Sequence, residues 1–228
     1  MEKLKTGISG LDEMLNGGIP KRRHIAVFGG PGCGKTSFGF EYLYHGAKEG
    51  QAGVYLTLEE SPEDILENMK NQFSDFKDID SLVDKNMLFV EQPANYSVDA
   101  IMESLEKRIV ENEVQRAVID SSTMLKAMFE KESEYRRTIV EMFNLIKKLD
   151  CTVMVLVEAE SSEKEKVVFN IEHYILDGIF NIYNLDKGDR RIRALEIFKM
   201  RGTDHSRDLV PFKVTPSGIK IYTNEKVF

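Results

Sequence analysis

The chain has 228 residues, of which 42% are hydrophobic and 30% are charged, and its formal net charge is −7. Its length favours a single domain, 1–228, with one substantial core. The acidic balance argues against a general nucleic-acid-binding surface and leaves room only for a local basic patch. Two cysteines are too few for a disulfide framework and lack the spacing of a zinc site. Cys151 opens an apolar run, so we expect its thiol to be buried.

We also expect no secretory signal and no membrane span. The N-terminus, MEKLKTGISG, contains no apolar stretch of the kind that a signal peptide requires. No apolar run elsewhere approaches the length of a bilayer-spanning helix. These two observations predict a cytoplasmic protein that does not insert into membranes.

Short apolar runs alternate with helix-like segments through the first two thirds of the chain. Strands are predicted at 24–30, 53–60, 86–91, 116–122 and 151–158. The segments between them carry apolar residues at helical spacing, and Ser61 followed by Pro62 marks the start of one helix. This alternation is typical of an α/β fold in which helices connect the strands of a parallel sheet.

The pattern changes after residue 170. Two pairs of β-rich segments surround the turn sequences DKGD (186–189) and TPSG (215–218). Residues 171–228 are therefore expected to form a C-terminal β extension of the α/β body, and most of its strand pairs are expected to be antiparallel.

The stretch GGPGCGKT, residues 29–36, fits the phosphate-loop pattern G-x-x-x-x-G-K-[ST] between a predicted strand and a predicted helix. Its glycines allow successive backbone N–H groups to point inward, where they and the positive end of the following helix attract phosphate. Lys35 is expected to reach the β- and γ-phosphates, and the Thr36 hydroxyl is expected to bind Mg²⁺. The candidate nucleotide-binding residues of this region are Gly29, Gly30, Pro31, Gly32, Cys33, Gly34, Lys35, Thr36 and Ser37. The sequence therefore predicts a site for a nucleoside triphosphate.

Carboxylates end two other predicted strands at the same edge of the sheet. The run AVIDSS places Asp120 at the carboxyl edge, where nucleotides bind and where a carboxylate can hold a Mg²⁺-coordinated water. An apolar run that ends in Asp is common, and it is the phosphate loop that makes Asp120 the expected metal ligand. Glu59 and Glu60 are adjacent in the chain. One of them can polarise the water that attacks the γ-phosphate, while the other orients that glutamate or the ligands of the metal ion. An acidic residue at position 60 is explained by the helix that starts at Ser61, because a negative charge there is stabilised by the positive end of the helix dipole. This does not explain Glu59, so Glu59 is favoured as the general base.

A second cationic cluster, KMRGTDHSR (199–207), lies far along the chain from the phosphate loop. Lys199 and Arg201 are separated by one residue, which on a strand would place both side chains on the same face. The cluster is either a solvated hairpin end or a second set of phosphate contacts.

Together these motifs resemble those of the KaiC branch of the RecA-type P-loop ATPases, and the resemblance covers nearly the whole chain. Besides the phosphate loop, the matching stretches are TGISGLDEMLNGGIP (6–20), TLEESPEDI (57–65), VIDSS (118–122), KMRGTDHS (199–206) and PFKVTPSGIKIY (211–222). The resemblance implies a RecA-like fold that binds ATP and Mg²⁺ and forms a ring, usually a hexamer. It also implies that residues 1–20 pack at the subunit interface.

In this family the active site lies between subunits, so the resemblance implies that Lys199 and Arg201 contact the γ-phosphate bound by the next subunit. A cation in that position stabilises the charge of the transition state and can raise the rate by roughly 10³–10⁵. The predicted catalytic set is then Lys35, Glu59, Glu60, Lys199 and Arg201. Further nucleotide contacts are expected from Asn71, Met200, Thr203, His205 and Thr215.

Three places depart from the family's pattern. Arg22 stands where a glycine is usual before the first strand, and Pro216 stands where a polar or acidic nucleotide contact is often found. His173 and Tyr174 align with the adjacent Ser and Thr that clock-type members phosphorylate, so Ser/Thr autokinase activity is not expected there. The chain holds one ATPase unit rather than a tandem pair, and a timekeeping role is therefore not expected either.

Three functions are compatible with these motifs. The first is a ring-forming ATPase whose nucleotide state controls binding of an unidentified protein partner. The second is a DNA-dependent, recombinase-type ATPase, which ranks lower because its candidate DNA-binding stretches, 120–134 and 158–166, are rich in Glu. The third is a scaffold that binds ATP with little turnover, similar to the ATP-binding subunit of the archaeal motility apparatus. The Glu59–Glu60 pair favours turnover over the scaffold.

Overall fold

The computed structural model describes residues 1–159, 171–188 and 190–227. Its strands are β1 (Lys3–Leu4), β2 (Ile19–Pro20), β3 (His24–Gly29), β4 (Gly53–Thr57), β5 (Leu88–Glu91), β6 (Arg116–Asp120), β7 (Thr152–Glu158), β8 (Gly178–Lys187), β9 (Arg190–Met200), β10 (Val210–Thr215) and β11 (Gly218–Ile221). Its helices are α1 (Leu11–Met14), α2 (Lys35–Lys48), α3 (Pro62–Gln72), α4 (Ile79–Asp84), α5 (Val98–Glu111), α6 (Ser122–Ala127), α7 (Glu132–Lys148) and α8 (Glu172–Ile175). Residue 189 of the DKGD turn and residues 160–166 of the second acidic stretch lie outside the described residues.

Within the described part of the chain, a nine-stranded sheet forms the centre of the molecule in the order β11-β10-β9-β8-β3-β7-β6-β4-β5. The strands from β8 to β5 run parallel, and β9, β10 and β11 continue the sheet in antiparallel pairs. The predicted α/β fold, with a mostly parallel sheet and antiparallel C-terminal hairpins, is therefore confirmed. The C-terminal extension belongs to the same sheet, because β8 pairs directly with β3, the strand that precedes the phosphate loop.

Helices cover both faces of this sheet. β3 is buried along its whole length, as expected for a central strand between two helical layers. α2 packs into one apolar cluster, and α5 and α7 pack into the cluster on the other face. The apolar residues at helical spacing in α5 and α7 are buried, as the spacing predicts: Ile101, Leu105, Ile109, Tyr135, Ile139, Met142 and Ile146. The aromatic residues Phe40, Tyr42 and Tyr44 of α2 are buried as well.

The start of α3 follows the capping pattern read from the sequence. Ser61 Oγ accepts a hydrogen bond from the backbone N–H of Asp64 at 3.1 Å, and Pro62 occupies the first helical position. The preceding strand is shorter than predicted: β4 ends at Thr57 rather than at residue 60. Glu59 and Glu60 consequently lie in the bend between β4 and α3, where both are exposed.

The chain enters β3 through Arg22, whose φ of 61° lies in the left-handed region. Glycine adopts this conformation without steric cost, which accounts for a glycine being usual at this position. Here the side chain of Arg22 pairs with Asp150, and its backbone N–H donates to Thr152 Oγ1 at 3.0 Å. Contacts with Asp150 and Thr152, at the start of β7, therefore stabilise the left-handed conformation that a glycine would adopt without them.

A fully buried arginine joins the N-terminal segment to the core. Arg116, the first residue of β6, is 0% exposed. Its guanidinium donates to the backbone oxygens of Tyr42 at 2.9 Å and Lys5 at 2.7 Å, and to the side chain of Gln51 at 2.8 Å. Because a buried charge is costly without such partners, these acceptors hold the segment around Lys5 against α2. The placement of residues 1–20 at a subunit interface stays a prediction.

Both cysteines are buried free thiols, and burial raises the pKa of each. The expectation of a buried thiol at Cys151 is confirmed. In the ranges that the structure describes, no helix is both long enough and apolar enough to cross a bilayer.

Candidate active site

The phosphate loop lies between β3 and α2 at the carboxyl edge of the parallel strands. The φ angles of Gly32 and Gly34 are 70° and 106°, a curl that glycine adopts without strain. Lys35 folds over the loop, and its Nζ donates to the carbonyl oxygens of Gly29 at 2.9 Å and Gly30 at 3.2 Å. α2 extends for 14 residues from Lys35, so the positive end of its dipole faces the loop. Loop, lysine and helix together can hold an anion.

The base of the loop requires a glycine because β8 passes close behind it. A Cβ atom at Gly29 would lie 2.4 Å from Cys33 Sγ and 2.9 Å from the carbonyl oxygen of Ile182. Neither distance is compatible with a side chain. The loop is therefore packed directly against the first strand of the C-terminal extension.

Asp120, the last residue of β6, lies beside the start of α2. Thr36 Oγ1 donates to Asp120 Oδ2 at 3.1 Å, and the Tyr55 hydroxyl donates to the same oxygen at 2.5 Å. Burial raises the pKa of Asp120, and the two hydroxyl donors oppose that rise by stabilising the ionised form. Carboxylate and hydroxyl oxygens are hard ligands of the kind that Mg²⁺ prefers. Thr36 and Asp120 could therefore contribute ligands to a Mg²⁺ ion that is otherwise held by water and phosphate.

Replacing Asp120 by asparagine is expected to raise the melting temperature of the nucleotide-free protein by about 2–4 °C, which corresponds to roughly 1 kcal/mol for a chain of this size. The raised pKa means that burial disfavours the ionised carboxylate at pH values above it, and asparagine removes that charge. Its amide oxygen can still accept the hydrogen bonds of Thr36 and Tyr55. Scanning calorimetry at neutral pH without nucleotide or metal would measure the change.

An exposed aspartate, Asp84 at the end of α4, supplies the matched control. Asp84→Asn should change the melting temperature by less than about 2 °C, as surface substitutions usually do. The gain from Asp120→Asn should shrink as the pH falls through the raised pKa, because the wild-type carboxyl group then becomes neutral. A lower melting temperature for D120N at neutral pH would contradict this account.

The paired glutamates approach the site from the bend that follows β4. Ser121 Oγ donates to Glu59 Oε1 at 2.5 Å, which holds Glu59 next to the residue that follows Asp120. Glu60 accepts a hydrogen bond from Asn68 Nδ2 at 3.3 Å and lines the cleft beside the phosphate loop. The structure therefore brings both glutamates to the edge where β4 and β6 end, and gives the two side chains different partners.

A cleft of about 570 Å³ opens beside the loop, a volume typical of small-molecule sites. α3 forms one wall, and Asn71, a predicted nucleotide contact, belongs to it. Gln72 on the same helix donates from Nε2 to Ser37 Oγ at 2.7 Å. Thr215, another predicted contact, lies next to the lining residue Val214 and donates its hydroxyl to a carbonyl within the TPSG turn.

Sequence reasoning missed five residues that line this cleft: three are polar or charged, namely Asn68, Gln72 and Arg193, and two are apolar, namely Met69 and Val214. The first two lie one helical turn apart on α3, and this spacing on a helix that follows the glutamates was a usable signal. Arg193 comes from β9 and donates from Nη2 to the carbonyl oxygen of Gly32 at 3.2 Å. Its position 161 residues from that glycine left no local pattern to read.

Lys199 and Arg201 extend from the end of β9 towards the same short helix. Lys199 Nζ donates to the carbonyl oxygens of His173 at 2.9 Å and Leu176 at 2.8 Å. Arg201 Nη2 donates to the carbonyl oxygen of Tyr174 at 3.0 Å. β9 ends at Met200, so the two residues do not belong to one strand as their spacing suggested, but both side chains cap the carboxyl end of α8.

This pair lies at the opposite edge of the sheet from the phosphate loop of its own subunit. The backbone N–H of Arg201 bonds to Asp177, and that of Asp177 bonds to His24 at the start of β3. Gly29 lies at the other end of β3, about 16 Å away along the strand. Lys199 and Arg201 consequently do not join the phosphate loop of their own subunit.

The other predicted contacts of this segment surround the same turn. Met200 is 5% exposed, and its sulfur packs against Gly178, so a contact from Met200 to a nucleotide would use its backbone. Thr203 Oγ1 accepts a hydrogen bond from Lys3 Nζ at 2.7 Å. His205 Nδ1 lies 2.8 Å from the carbonyl oxygen of Ser206. The turn is therefore well anchored within the subunit.

The phosphate loop between β3 and α2, with Asp120 at the end of a parallel strand two positions away in the sheet, defines a RecA-type P-loop ATPase. The family model "ATPase: KaiC" matches residues 4–226. The chain belongs to the KaiC family of ATPase domains. The resemblance read from the motifs is confirmed.

Known relatives match the chain over nearly its full length. The UPF0273 protein of Thermotoga maritima is 32% identical, with 99% of this chain and 98% of that protein aligned. The crystal structure of the KaiC-like protein PH0186 from Pyrococcus horikoshii OT3 has a TM-score of 0.86 and 29% identity, covering 97% of this chain and 99% of that chain. The circadian clock oscillator protein KaiC of a Picosynechococcus strain is 33% identical over 97% of this chain, which spans only 45% of that protein's length.

Proposed function

We propose that this protein is a Mg²⁺-dependent ATPase that assembles into a ring, in which each active site is built by two adjacent subunits. The observation that carries the proposal is the separation of Lys199 and Arg201 from the phosphate loop of their own subunit. A basic pair at the opposite edge of the sheet is suited to a neighbour's nucleotide and not to its own. The family's usual ring is a hexamer, and we adopt that number.

Within one subunit, the phosphate loop would bind the triphosphate, and Lys35 would exchange the carbonyl oxygens of Gly29 and Gly30 for the β- and γ-phosphates. Thr36 and Asp120 would hold Mg²⁺, which supplies charge neutralisation at the phosphates. Glu59, positioned by Ser121, would polarise the attacking water, and Glu60 would orient its neighbour.

From the adjacent subunit, Lys199 and Arg201 would stabilise the charge that develops on the transferred phosphoryl group. Met200, Thr203 and His205 would approach the same nucleotide. ATP binding and hydrolysis would change the affinity of the ring for a protein partner. This nucleotide-dependent partner binding is the regulatory role that we propose. We propose that the protein has no Ser/Thr autokinase activity at this site, because His173 and Tyr174 stand where clock-type members have the phosphorylated Ser and Thr.

The first test is a size measurement by light scattering with and without ATP and Mg²⁺, run beside a phosphate-release assay. We expect a larger assembly and slow hydrolysis in the presence of both. Lys35→Ala should remove nucleotide binding and both effects. Hydrolysis strongly stimulated by single-stranded DNA would favour the recombinase-type function, and ATP binding without turnover would favour the scaffold; a monomer that hydrolyses ATP at full rate would contradict the shared site.

A further inference from the structure

A buried glutamate on α2 contacts the C-terminal hairpin. Glu41 is 1% exposed, and its Oε2 accepts a hydrogen bond from the backbone N–H of Ile219 at 2.6 Å. The other oxygen, Oε1, lies 3.3 Å from Nε2 of His45. Burial raises the pKa of the Glu41 carboxyl, and the contacts with His45 and Ile219 oppose that rise. One side chain thus joins β11 to the helix that begins with Lys35 and Thr36.

The contact meets a need of β11, which is the outermost strand at one side of the described sheet. The N–H groups of alternate residues on such a strand point away from the sheet and require partners outside it. On β11 these residues are Ile219, which bonds to Glu41, and Ile221, which bonds to the backbone oxygen of Ser9 at 2.9 Å. Glu41 therefore takes the place of a neighbouring strand at the residue nearest the TPSG turn.

The TPSG turn packs directly against the Glu41 carboxylate. Gly218 has a φ of 116°, and a Cβ atom there would lie 2.6 Å from Glu41 Oε1. Thr215 Oγ1 donates to the carbonyl oxygen of Gly218 at 2.7 Å, which closes the turn. From α3, the backbone N–H of Asp75 donates to the carbonyl oxygen of Pro216 at 3.2 Å just beyond the helix. The position of the turn is thus set by Glu41 on one side and by Asp75 on the other.

The same turn borders the nucleotide cleft. Val214, which precedes it on β10, lines the cleft, and its Cγ2 would lie 3.8 Å from a Cβ atom at Gly34 of the phosphate loop. Asn71 on α3 lines the cleft as well. Pro216 has neither a polar side chain nor a backbone N–H, so the placement of the rest of the turn decides which polar groups a ligand meets there.

We propose that Glu41 is a positioning residue for the nucleoside part of the bound nucleotide. By holding the TPSG turn against α2, it sets the distance between this turn and a ribose or base whose phosphates occupy the phosphate loop. Glu41 itself lies beneath the turn and touches no ligand. The proposal rests on nucleotide binding at the phosphate loop, and it does not depend on the ring. Glu41 should therefore contribute to the affinity for ATP and not to the affinity for a triphosphate that lacks a nucleoside.

The test compares Glu41→Ala and Glu41→Gln with Glu49→Ala, a substitution of an exposed glutamate at the end of the same helix. Calorimetric titration with a non-hydrolysable ATP analogue, and separately with tripolyphosphate, gives the dissociation constants in the presence of Mg²⁺. We expect E41A to weaken binding of the analogue by about 10-fold, as loss of one hydrogen bond to a charged group does, and to change tripolyphosphate binding by less than about 2-fold. E41Q keeps an oxygen that can accept from Ile219 and should recover most of the affinity. E49A should bind both ligands as the wild-type protein does.

Two further variants separate positioning of the turn from a general loss of stability. Ile139→Val shortens a buried side chain of α7 in the apolar cluster on the other face of the sheet, so it lowers the melting temperature without touching the turn. I139V should not discriminate between the two ligands. Gly218→Ala places a Cβ atom against Glu41 and displaces the turn, so it should show the same selective loss as E41A. G218A carries the test if E41A does not fold.

Equal losses for the two ligands in E41A, or no loss for either, would overturn the proposal. So would a selective loss in I139V, unchanged binding of the analogue by G218A, or a wild-type protein that binds the analogue no more tightly than tripolyphosphate. Failure of the wild-type protein to bind both ligands would instead overturn the proposed function itself.

Discussion

Replacing Arg201 by alanine is expected to lower the rate of ATP hydrolysis by about 10³-fold while leaving the affinity for ATP within a few-fold of the wild-type value. The guanidinium would act on charge that develops in the transition state, so its loss should appear in kcat rather than in ground-state binding. Arg201 is exposed; it donates to the carbonyls of Tyr174 and Ile175 and lies 3.8 Å from Asp177, which keeps a closer ion pair with Arg23, so removal of Arg201 should cost little stability. Steady-state phosphate release and a separate ATP titration would measure the two quantities.

Arg207→Ala is the matched control, because Arg207 is an exposed arginine of the same loop and lies outside the predicted contacts. Its hydrolysis rate should stay close to that of the wild-type protein. Rings mixed from Arg201→Ala and Glu59→Gln subunits should then recover part of the activity, since at some interfaces the Glu59 of an Arg201→Ala subunit meets the Arg201 of a Glu59→Gln subunit. Recovery at no mixing ratio, although mixed rings are detected, would count against active sites built by two subunits.

Replacing Glu59 by glutamine is expected to reduce kcat by about 10²–10⁴-fold, the usual contribution of a general base. Glutamine keeps the size of the side chain and can still accept the hydrogen bond from Ser121 Oγ, but it cannot take up a proton from the attacking water. ATP affinity should change little, because the substitution removes one negative charge near the phosphates without removing a donor.

Glu60→Gln provides the comparison for Glu59→Gln, because the two residues are adjacent, exposed and equally charged. We expect a smaller loss for E60Q, in keeping with its contact to Asn68 on α3. A larger loss of kcat for E60Q than for E59Q would indicate that Glu60, and not Glu59, is the general base. An unchanged rate of ATP hydrolysis in both variants would show that neither glutamate is the general base, and it would favour a protein that binds ATP with little turnover.

The sequence could predict those parts of the site that are built from neighbouring residues. The phosphate loop, the strand before it and the helix after it form one continuous segment, so the motif carries its own structural context. Asp120 was predictable for the same reason, since a buried strand ending in a carboxylate points to the edge of the sheet that holds the loop. The capping residues Ser61 and Pro62 fixed the start of α3 by local hydrogen bonding.

Contacts between distant segments could not be read in this way. Arg193 reaches Gly32 across 161 residues, and Arg116 reaches Lys5 across 111. α8 has only four residues, too few for a periodic pattern, so nothing in the sequence placed its carbonyls beside Lys199. The sequence prediction extended β4 three residues too far: its pairing with β6 ends at Thr57 opposite Asp120, and one further backbone hydrogen bond, from Leu58 to Asp120, follows before the bend.

The capping of α8 has a consequence for how two subunits would meet. Freezing a long basic side chain at an interface ordinarily costs up to about 1.5–2 kcal/mol of rotamer entropy. Lys199 and Arg201 are already held by backbone carbonyls before any neighbour arrives, so most of that cost belongs to folding of the subunit. The two subunits can then dock as rigid bodies. The affinity between them should depend on the charge of the nucleotide in the cleft that faces Lys199 and Arg201.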